Sequence, residues 1–195
     1  VPVDDDTMLV VFDSAVVGND KLKHSDPQFA LYKAQLEQAF ALGAGRPNAF
    51  FMNHQPILGY NSDGKSKAQP GNAALQSVLD SIVPTVLFPP NVQAVLSGHV
   101  HMMQIVSFAT PQPPIFIPGN GGTELVPDFT EFPPDNTPVP DAVVAGLLHT
   151  ASFGFMTLER AASGWTITAF DRNGRPQTTC TLFARKASCT PLAVS

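Results

Sequence analysis

The sequence predicts a layered α/β sandwich, in which helices pack on a mixed sheet and antiparallel strands follow. Strand-like and helix-like segments alternate up to residue 99, and the strand-like segments that follow have no helix between them. This order is typical of a mixed sheet with helices packed on it, followed by antiparallel strands. Hydrophobic residues make up 44% of the 195 residues and charged residues only 14%. We therefore expect one folded domain over residues 1–195, with a substantial core.

Three strands and two helices are predicted in the first half. Residues 24–43 carry apolar side chains at three- and four-residue intervals, which indicates an amphipathic helix. Ser25 or Asp26 can cap this helix and Gly43 can end it. A shorter segment with the same period predicts a second helix at 72–83. The strands are expected at residues 8–15, 48–56 and 92–99.

The second half is predicted to contain strands and loops. Two further apolar strands are expected at 104–110 and 114–119. Residues 153–160 and 164–171 alternate apolar and polar side chains across a three-residue link, which is typical of a β-hairpin. The proline-rich segment 126–141 is expected to be a long loop. In the first half, the polar segment 61–72 is also expected to be a loop.

Charge and hydropathy disfavour two classes of partner. A formal net charge of −5, with 11 Lys and Arg residues, provides no basic face for a nucleic-acid backbone. No apolar run reaches the roughly 18 residues that a membrane-spanning helix needs. The N-terminal residues lead directly into a core strand without the pattern of a signal peptide. We therefore expect that further polypeptide precedes this sequence.

The cysteines Cys180 and Cys189 are separated by eight residues near the C-terminus. The two cysteines either form a disulfide or remain free thiols. A disulfide is favoured because nothing beside the pair resembles a metal or redox motif. A disulfide would in turn favour a secreted or periplasmic location, since such bonds persist in oxidising compartments.

Histidines follow two of the predicted strands and are the best candidates for chemistry. His54 lies in the segment NHQP, and His99 and His101 lie in the segment GHVH. Imidazole is a good ligand for Zn, Fe or Mn, and residues two apart in an extended segment point to the same side. Asn53 and Gln55 flank His54 and are candidates to support it by hydrogen bonds. The alternative is that each histidine is a structural, hydrogen-bonded residue.

Two blocks of the sequence, FFMNHQPILGY and VQAVLSGHVHMM, resemble the calcineurin-like metallophosphoesterases, which include the purple acid phosphatases. The elements occur in the family's order over residues 8–172. The resemblance implies a four-layer αββα sandwich with two metal ions bridged by an aspartate. It implies that His54 and His99 bind one ion and His101 binds the other. It also implies metal-dependent hydrolysis of a phosphate ester.

The family's N-terminal motifs D-x-H, G-D-x-x-D and G-N-H-D/E do not occur in this sequence. Hard metal ions need the oxygen ligands that those motifs supply. We therefore expect an incomplete αββα sandwich, the C-terminal part of a metallophosphoesterase, which is inactive without a missing N-terminal half. One alternative is a non-catalytic fragment or degenerate module that binds one metal ion or none. Another is a single-zinc hydrolase with the three histidines and a water as ligands.

Overall fold

The structure is a computed structural model that describes residues 1–122 and 124–191. The described part of the chain contains two helices and twelve strands. The helices are α1 (Pro27–Gly43) and α2 (Ala73–Ile82). The strands are β1 (Thr7–Phe12), β2 (Asn48–Asn53), β3 (Asn61–Ser62), β4 (Ala68–Gln69), β5 (Val92–Ser97), β6 (Met103–Phe108), β7 (Ile115–Pro118), β8 (Val144–Thr150), β9 (Gly154–Arg160), β10 (Trp165–Asp171), β11 (Pro176–Phe183) and β12 (Lys186–Pro191).

A mixed six-stranded sheet forms the centre of the fold, in the order β1-β2-β5-β7-β6-β8. Strands β1, β2, β5 and β7 are parallel, whereas β6 is antiparallel to both of its neighbours. Parallel neighbours end at the same edge of a sheet. The segments that follow β1, β2 and β5 therefore meet at one edge, which is where open α/β sheets usually form their sites.

Both predicted helices are present with shorter bounds, and they pack on one face of this sheet. Their apolar sides contribute Leu36 and Leu75, which are fully buried with strand residues such as Phe51. Asp26 is the N-cap residue of α1, but its carboxylate accepts from the backbone N–H of Lys23 and does not cap the helix. In α2 the Asn72 side chain is a true cap and accepts from Leu75 N at 2.8 Å.

A second, antiparallel sheet of order β12-β11-β10-β9 covers the other face of the central sheet. A separate core fills the space between the two sheets, and in it Phe50 meets Trp165 edge to face with ring centroids 5.0 Å apart. On the outer face of this second sheet, Phe155 is 46% exposed. The described residues thus form three layers, helices, sheet and sheet, of the αββα arrangement. The predicted mixed sheet followed by antiparallel strands is confirmed.

The hairpin predicted at 153–171 is confirmed as β9 and β10, which are antiparallel neighbours. Trp165 lies opposite Arg160 at one end of the pair, and Asp171 lies opposite Gly154 at the other. The predicted disulfide is also confirmed: Cys180 and Cys189 are directly opposite on β11 and β12. Strands β8, β11 and β12 were not predicted, nor were the two-residue strands β3 and β4 inside the expected loop 61–72. No helix among the described residues is both long and apolar enough to cross a membrane.

Candidate metal centre

His54 and His99 lie next to each other at the edge where β2 and β5 end. These two strands are parallel neighbours, and the backbone N–H of Gly98 donates to the His54 carbonyl at 3.1 Å. Nδ1 of His99 lies 3.1 Å from Nε2 of His54. The rings meet at an interplanar angle of 79°. The structure therefore brings together two of the three histidines predicted to bind metal.

The segment after β5 turns instead of remaining extended. His99 has φ +68°, in the left-handed region that residues with a Cβ rarely adopt. Val100 N donates to Gly98 O at 2.8 Å and Met102 N donates to Val100 O at 2.7 Å. The segment that carries His99 and His101 was expected to be extended, and this expectation is wrong, because β5 ends at Ser97 and tight turns follow it.

His101 lies on the turn beyond this pair. Its carbonyl accepts from Val126 N at 3.1 Å, which joins the turn to the segment after β7. The pKa of His99 is lowered, first by its burial and then by the charges of His54 and His101. His101 is therefore close enough to act on His99 electrostatically. Among the residues that the structure describes, no group of three or more His, Cys, Asp or Glu side chains is placed to hold a metal ion.

Gly119 fixes this turn from the other side. A Cβ at this position would lie 1.9 Å from the carbonyl oxygen of Val100 and 3.0 Å from that of Met102. Both contacts are with backbone atoms, which cannot move as a flexible side chain can. A glycine at the end of β7 is therefore what allows the histidine turn to approach the next segment.

Asn53 connects the ends of three strands behind the histidine pair. It is 4% exposed, and its Nδ2 donates to Ser14 Oγ at 3.3 Å. Its Oδ1 accepts from Ser97 Oγ at 2.8 Å. Ser14 also accepts from the backbone N–H of Gln55 at 3.0 Å. These bonds fix the backbone on both sides of His54, so Asn53 acts on the main chain and is not bonded to an imidazole.

Gln55 extends the same buried network towards α2. Its Nε2 donates to Val17 O at 2.7 Å, and its Oε1 accepts from Asn72 Nδ2. Asn72 Nδ2 also lies 3.0 Å from Asn19 Oδ1. Ser97 and Asn72 were not identified from the sequence. The available signal was weak, namely a polar residue at each strand or helix end.

An apolar groove of about 520 Å³ lies beside His54, between the two sheets. Its walls include Val11, Met52 and Leu158, which are 59%, 37% and 38% exposed. Asp13 is the acidic residue in the lining, and its Oδ1 accepts from the backbone N–H of Ala15 at 3.0 Å. The edge that carries the histidines is thus open on the side of β1.

Comparisons with known proteins support the fold. The chain matches no protein-family model, and its sequence matches no curated protein. Its structure is similar to GAP50, described as the anchor in the inner membrane complex of Plasmodium, with a TM-score of 0.57 and 14% identity over 91% of this chain. It is also similar to the purple acid phosphatase PPD1 from seeds of yellow lupin (Lupinus luteus), with a TM-score of 0.52 and 15% identity over 95% of this chain.

This chain spans 49% of the GAP50 chain and 31% of the lupin phosphatase chain. At 14% and 15% sequence identity, these similarities show a shared fold only. The fold is that of a partial metallophosphoesterase-type sandwich.

Proposed function

We propose that this chain supplies the histidine half of a two-metal phosphoesterase site, which hydrolyses phosphate esters once oxygen ligands complete it. The observation that supports this most is the 3.1 Å between His54 Nε2 and His99 Nδ1. With metal–nitrogen bonds of about 2.0–2.1 Å, two ligands of one ion lie about 2.9 Å apart at a right angle and about 3.4 Å apart in a tetrahedron. The separation of the two nitrogens is therefore one that two ligands of a single ion can have.

In this proposal His54 and His99 hold one ion and His101 contributes to the second. Imidazole suits Zn, Fe or Mn. When bound, the two ions supply Lewis-acid activation of the phosphoryl group and a nucleophile at neutral pH. Asn53 and Gln55 hold the backbone of His54, so that its ring meets the ion in a fixed orientation.

The oxygen ligands, including a bridging aspartate, are assigned to polypeptide outside residues 1–195, namely the N-terminal half of the same fold. The fold neighbours support this assignment, because the chain spans only 49% and 31% of their length. The open groove beside His54 gives that polypeptide access to the site. The Cys180–Cys189 disulfide supports a secreted or periplasmic protein.

Calorimetric titration with Zn²⁺ and Mn²⁺, together with an assay on an aryl phosphate, tests the proposal. We expect weak binding of metal by the chain, loss of it in His54→Ala and in His99→Ala, and no phosphatase activity. His24→Ala is the matched control, because His24 is exposed and packs on Phe29. Unchanged metal binding in His54→Ala contradicts the ligand assignment. Two bound equivalents with activity contradict the claim that the site is incomplete, and one equivalent of zinc with activity favours a single-zinc hydrolase.

A non-catalytic structural module is the second candidate. GAP50, which has the similar fold, is described as an anchor. In the described residues of this chain no three metal-binding side chains come together. This candidate is favoured if the chain binds no metal, either alone or together with an N-terminal half that completes the fold.

A further inference from the structure

We infer that the outer edge of β1 binds an extended strand, which runs antiparallel to β1 and covers the apolar groove beside His54. The strand is assigned to the segment of the N-terminal half that leads into Val1. The inference therefore rests on the proposed function, and it gives the manner in which that half joins the chain. Two observations carry it, namely the hydrogen bonds of residues 1–3 and the lining of the groove.

Residues 1–3 pair with the first half of β1. Val1 N donates to Leu9 O at 2.7 Å, and Leu9 N donates to Val1 O at 2.8 Å. Val3 N donates to Thr7 O at 2.9 Å, and the residues between these two pairs form an antiparallel bridge. The outer edge of β1 is therefore an antiparallel pairing surface, and the register of that pairing is already set.

Val11 continues this surface beyond residues 1–3. Backbone groups of successive strand residues point to opposite sides, so those of Val11 point away from β2, as those of Leu9 do. β1 is an end strand of the six-stranded sheet, and in the described part of the chain the pairing on its outer edge stops at Leu9. The N–H and C=O groups of Val11 are thus available to a strand that continues from Val1. In this register, the residue two places before Val1 lies opposite Val11.

The side chain of Val11 faces the groove, whose volume is about 520 Å³. Leu158 on β9 and Met52 on β2 lie in the same lining, and all three side chains are more than one third exposed. Side chains of directly opposite residues in an antiparallel pair lie on the same face of the sheet. The residue opposite Val11 therefore extends over the groove, and an apolar side chain there removes this apolar surface from water.

A second copy of the chain fits this edge less well. Residues 1–3 of each copy occupy β1 as far as Leu9, and β1 ends at Phe12. Two antiparallel copies of β1 would pair only around Val11, because residues 1–3 of each copy block a longer overlap. A strand in line with Val1 has no such conflict. Unlike a small apolar molecule, it also bonds to the backbone of Val11 as well as filling the groove.

The direction of this strand connects it with the histidine pair. Moving back from Val1 leads towards the end of β1, which lies at the same edge as the ends of β2 and β5. In the antiparallel register, the third residue before Val1 lies opposite Phe12, the last residue of β1. The strand therefore comes from the edge that carries His54 and His99, where the proposed function needs oxygen ligands.

Hydrogen exchange of the Val11 amide, measured by NMR without added metal, tests this inference separately from the proposed function. The probe is a variant with the residues Thr-Thr-Val-Thr added before Val1, which places the added valine opposite Val11. In the control extension Thr-Thr-Pro-Thr, proline replaces that valine and cannot donate to the Val11 carbonyl.

We expect the Val11 amide to exchange at least ten-fold more slowly with the valine extension than in the wild type or with the proline extension. The methyl signals of Met52 and Leu158 should shift with it. The amide of Val10 is the internal reference, because it points towards β2 and should exchange equally in all three proteins.

Three outcomes overturn the inference. In the first, the valine extension leaves the exchange of Val11 unchanged while the variant remains folded. In the second, the valine and proline extensions slow it equally, which shows an effect without strand pairing. In the third, the slowing depends on protein concentration, which identifies pairing between copies. Metal binding by His54 and His99 has no part in these measurements, so the two proposals can fail separately.

Discussion

Nε2 of His54 lies 3.1 Å from Nδ1 of His99, with the two rings almost perpendicular. The two residues are 45 positions apart in the sequence and come from different strands. Their separation is set by the parallel pairing of β2 and β5, by the Asn53 network and by the turn at His99. Each of these supports can be tested separately from metal binding.

Gly119→Ala should disturb the histidine turn. A Cβ at Gly119 meets the Val100 carbonyl at 1.9 Å, so the backbone of one segment must move. We expect a loss of about 1–3 kcal/mol in the free energy of unfolding, as for other overpacked sites. Urea denaturation followed by circular dichroism measures it. Gly121→Ala is the control, because a Cβ at Gly121 has nothing within 4 Å. Equal stability of the two variants would show that the turn tolerates the added methyl.

Reduction of the Cys180–Cys189 disulfide should destabilise the second sheet. The bond joins directly opposite residues of β11 and β12, and Cys180 is fully buried in the core between the sheets. Closing a loop of about ten residues corresponds to about 2–3 kcal/mol. We expect a reducing agent to lower the Tm of the wild type and to leave that of a double Cys→Ala variant unchanged. A wild-type Tm that does not respond to reduction contradicts this.

Arg185 should be more important for stability than an ordinary surface arginine. Its guanidinium donates to the carbonyls of Phe88, Pro89 and Pro111, which connects the β11–β12 turn to the loops of the central sheet. Burial lowers its pKa from the usual value, yet the group remains charged. We expect Arg185→Ala to cost about 1.5–3 kcal/mol of stability by chemical denaturation.

Arg185→Lys should recover only part of this loss, since a single ammonium cannot reproduce the planar fork of the guanidinium. Arg175→Ala is the control, because Arg175 is exposed on the turn between β10 and β11, at the other end of β11. If Arg175→Ala is as destabilising as Arg185→Ala, the contacts with the carbonyls are not the cause.

Tyr60 should ionise late and should destabilise the fold at high pH. It is 1% exposed, its hydroxyl donates to Asn136 O at 2.9 Å, and burial raises its pKa to about 12. In the unfolded chain the pKa is about 10, so folding favours the protonated phenol. Its stabilising effect is complete below pH 10 and is lost as pH rises from about 10 to about 12.

Absorbance of tyrosinate against pH measures this directly. We expect a late component that is missing in Tyr60→Phe, and a stability difference between wild type and Tyr60→Phe that narrows over the same pH interval. A wild-type titration with no component later than the usual tyrosine range contradicts the assignment.

The sequence predicts the position of the site better than its geometry. The apolar runs before His54 and His99 indicate two strands, and polar residues at their ends indicate a shared edge. His99 has a positive φ, and the turn after it packs against the backbone at Gly119, 20 positions later than His99; no local pattern carries that information. The extended course expected for the segment from His99 to His101 was wrong for the same reason.

The missed strands also have physical reasons. In β8, Leu147 packs into the core under the helices and Leu148 into the core between the sheets. A strand that is buried on both faces does not show alternating apolar and polar residues in its sequence. In β11 the buried positions are Thr178, Cys180 and Leu182. Because Thr178 is polar, the sequence of β11 alternates only weakly between apolar and polar residues. Pairing with β6 determines β8, and pairing with β10 determines β11, more than the sequence of either strand does.

The most direct test of the central claim is anomalous diffraction at the zinc edge from crystals of the chain soaked in zinc. We expect a peak between His54 and His99, about 2.0–2.1 Å from both Nε2 of His54 and Nδ1 of His99. This peak should disappear in His99→Ala crystals and persist in His24→Ala crystals. Zinc bound elsewhere, with the two imidazoles still in contact with each other, would contradict it.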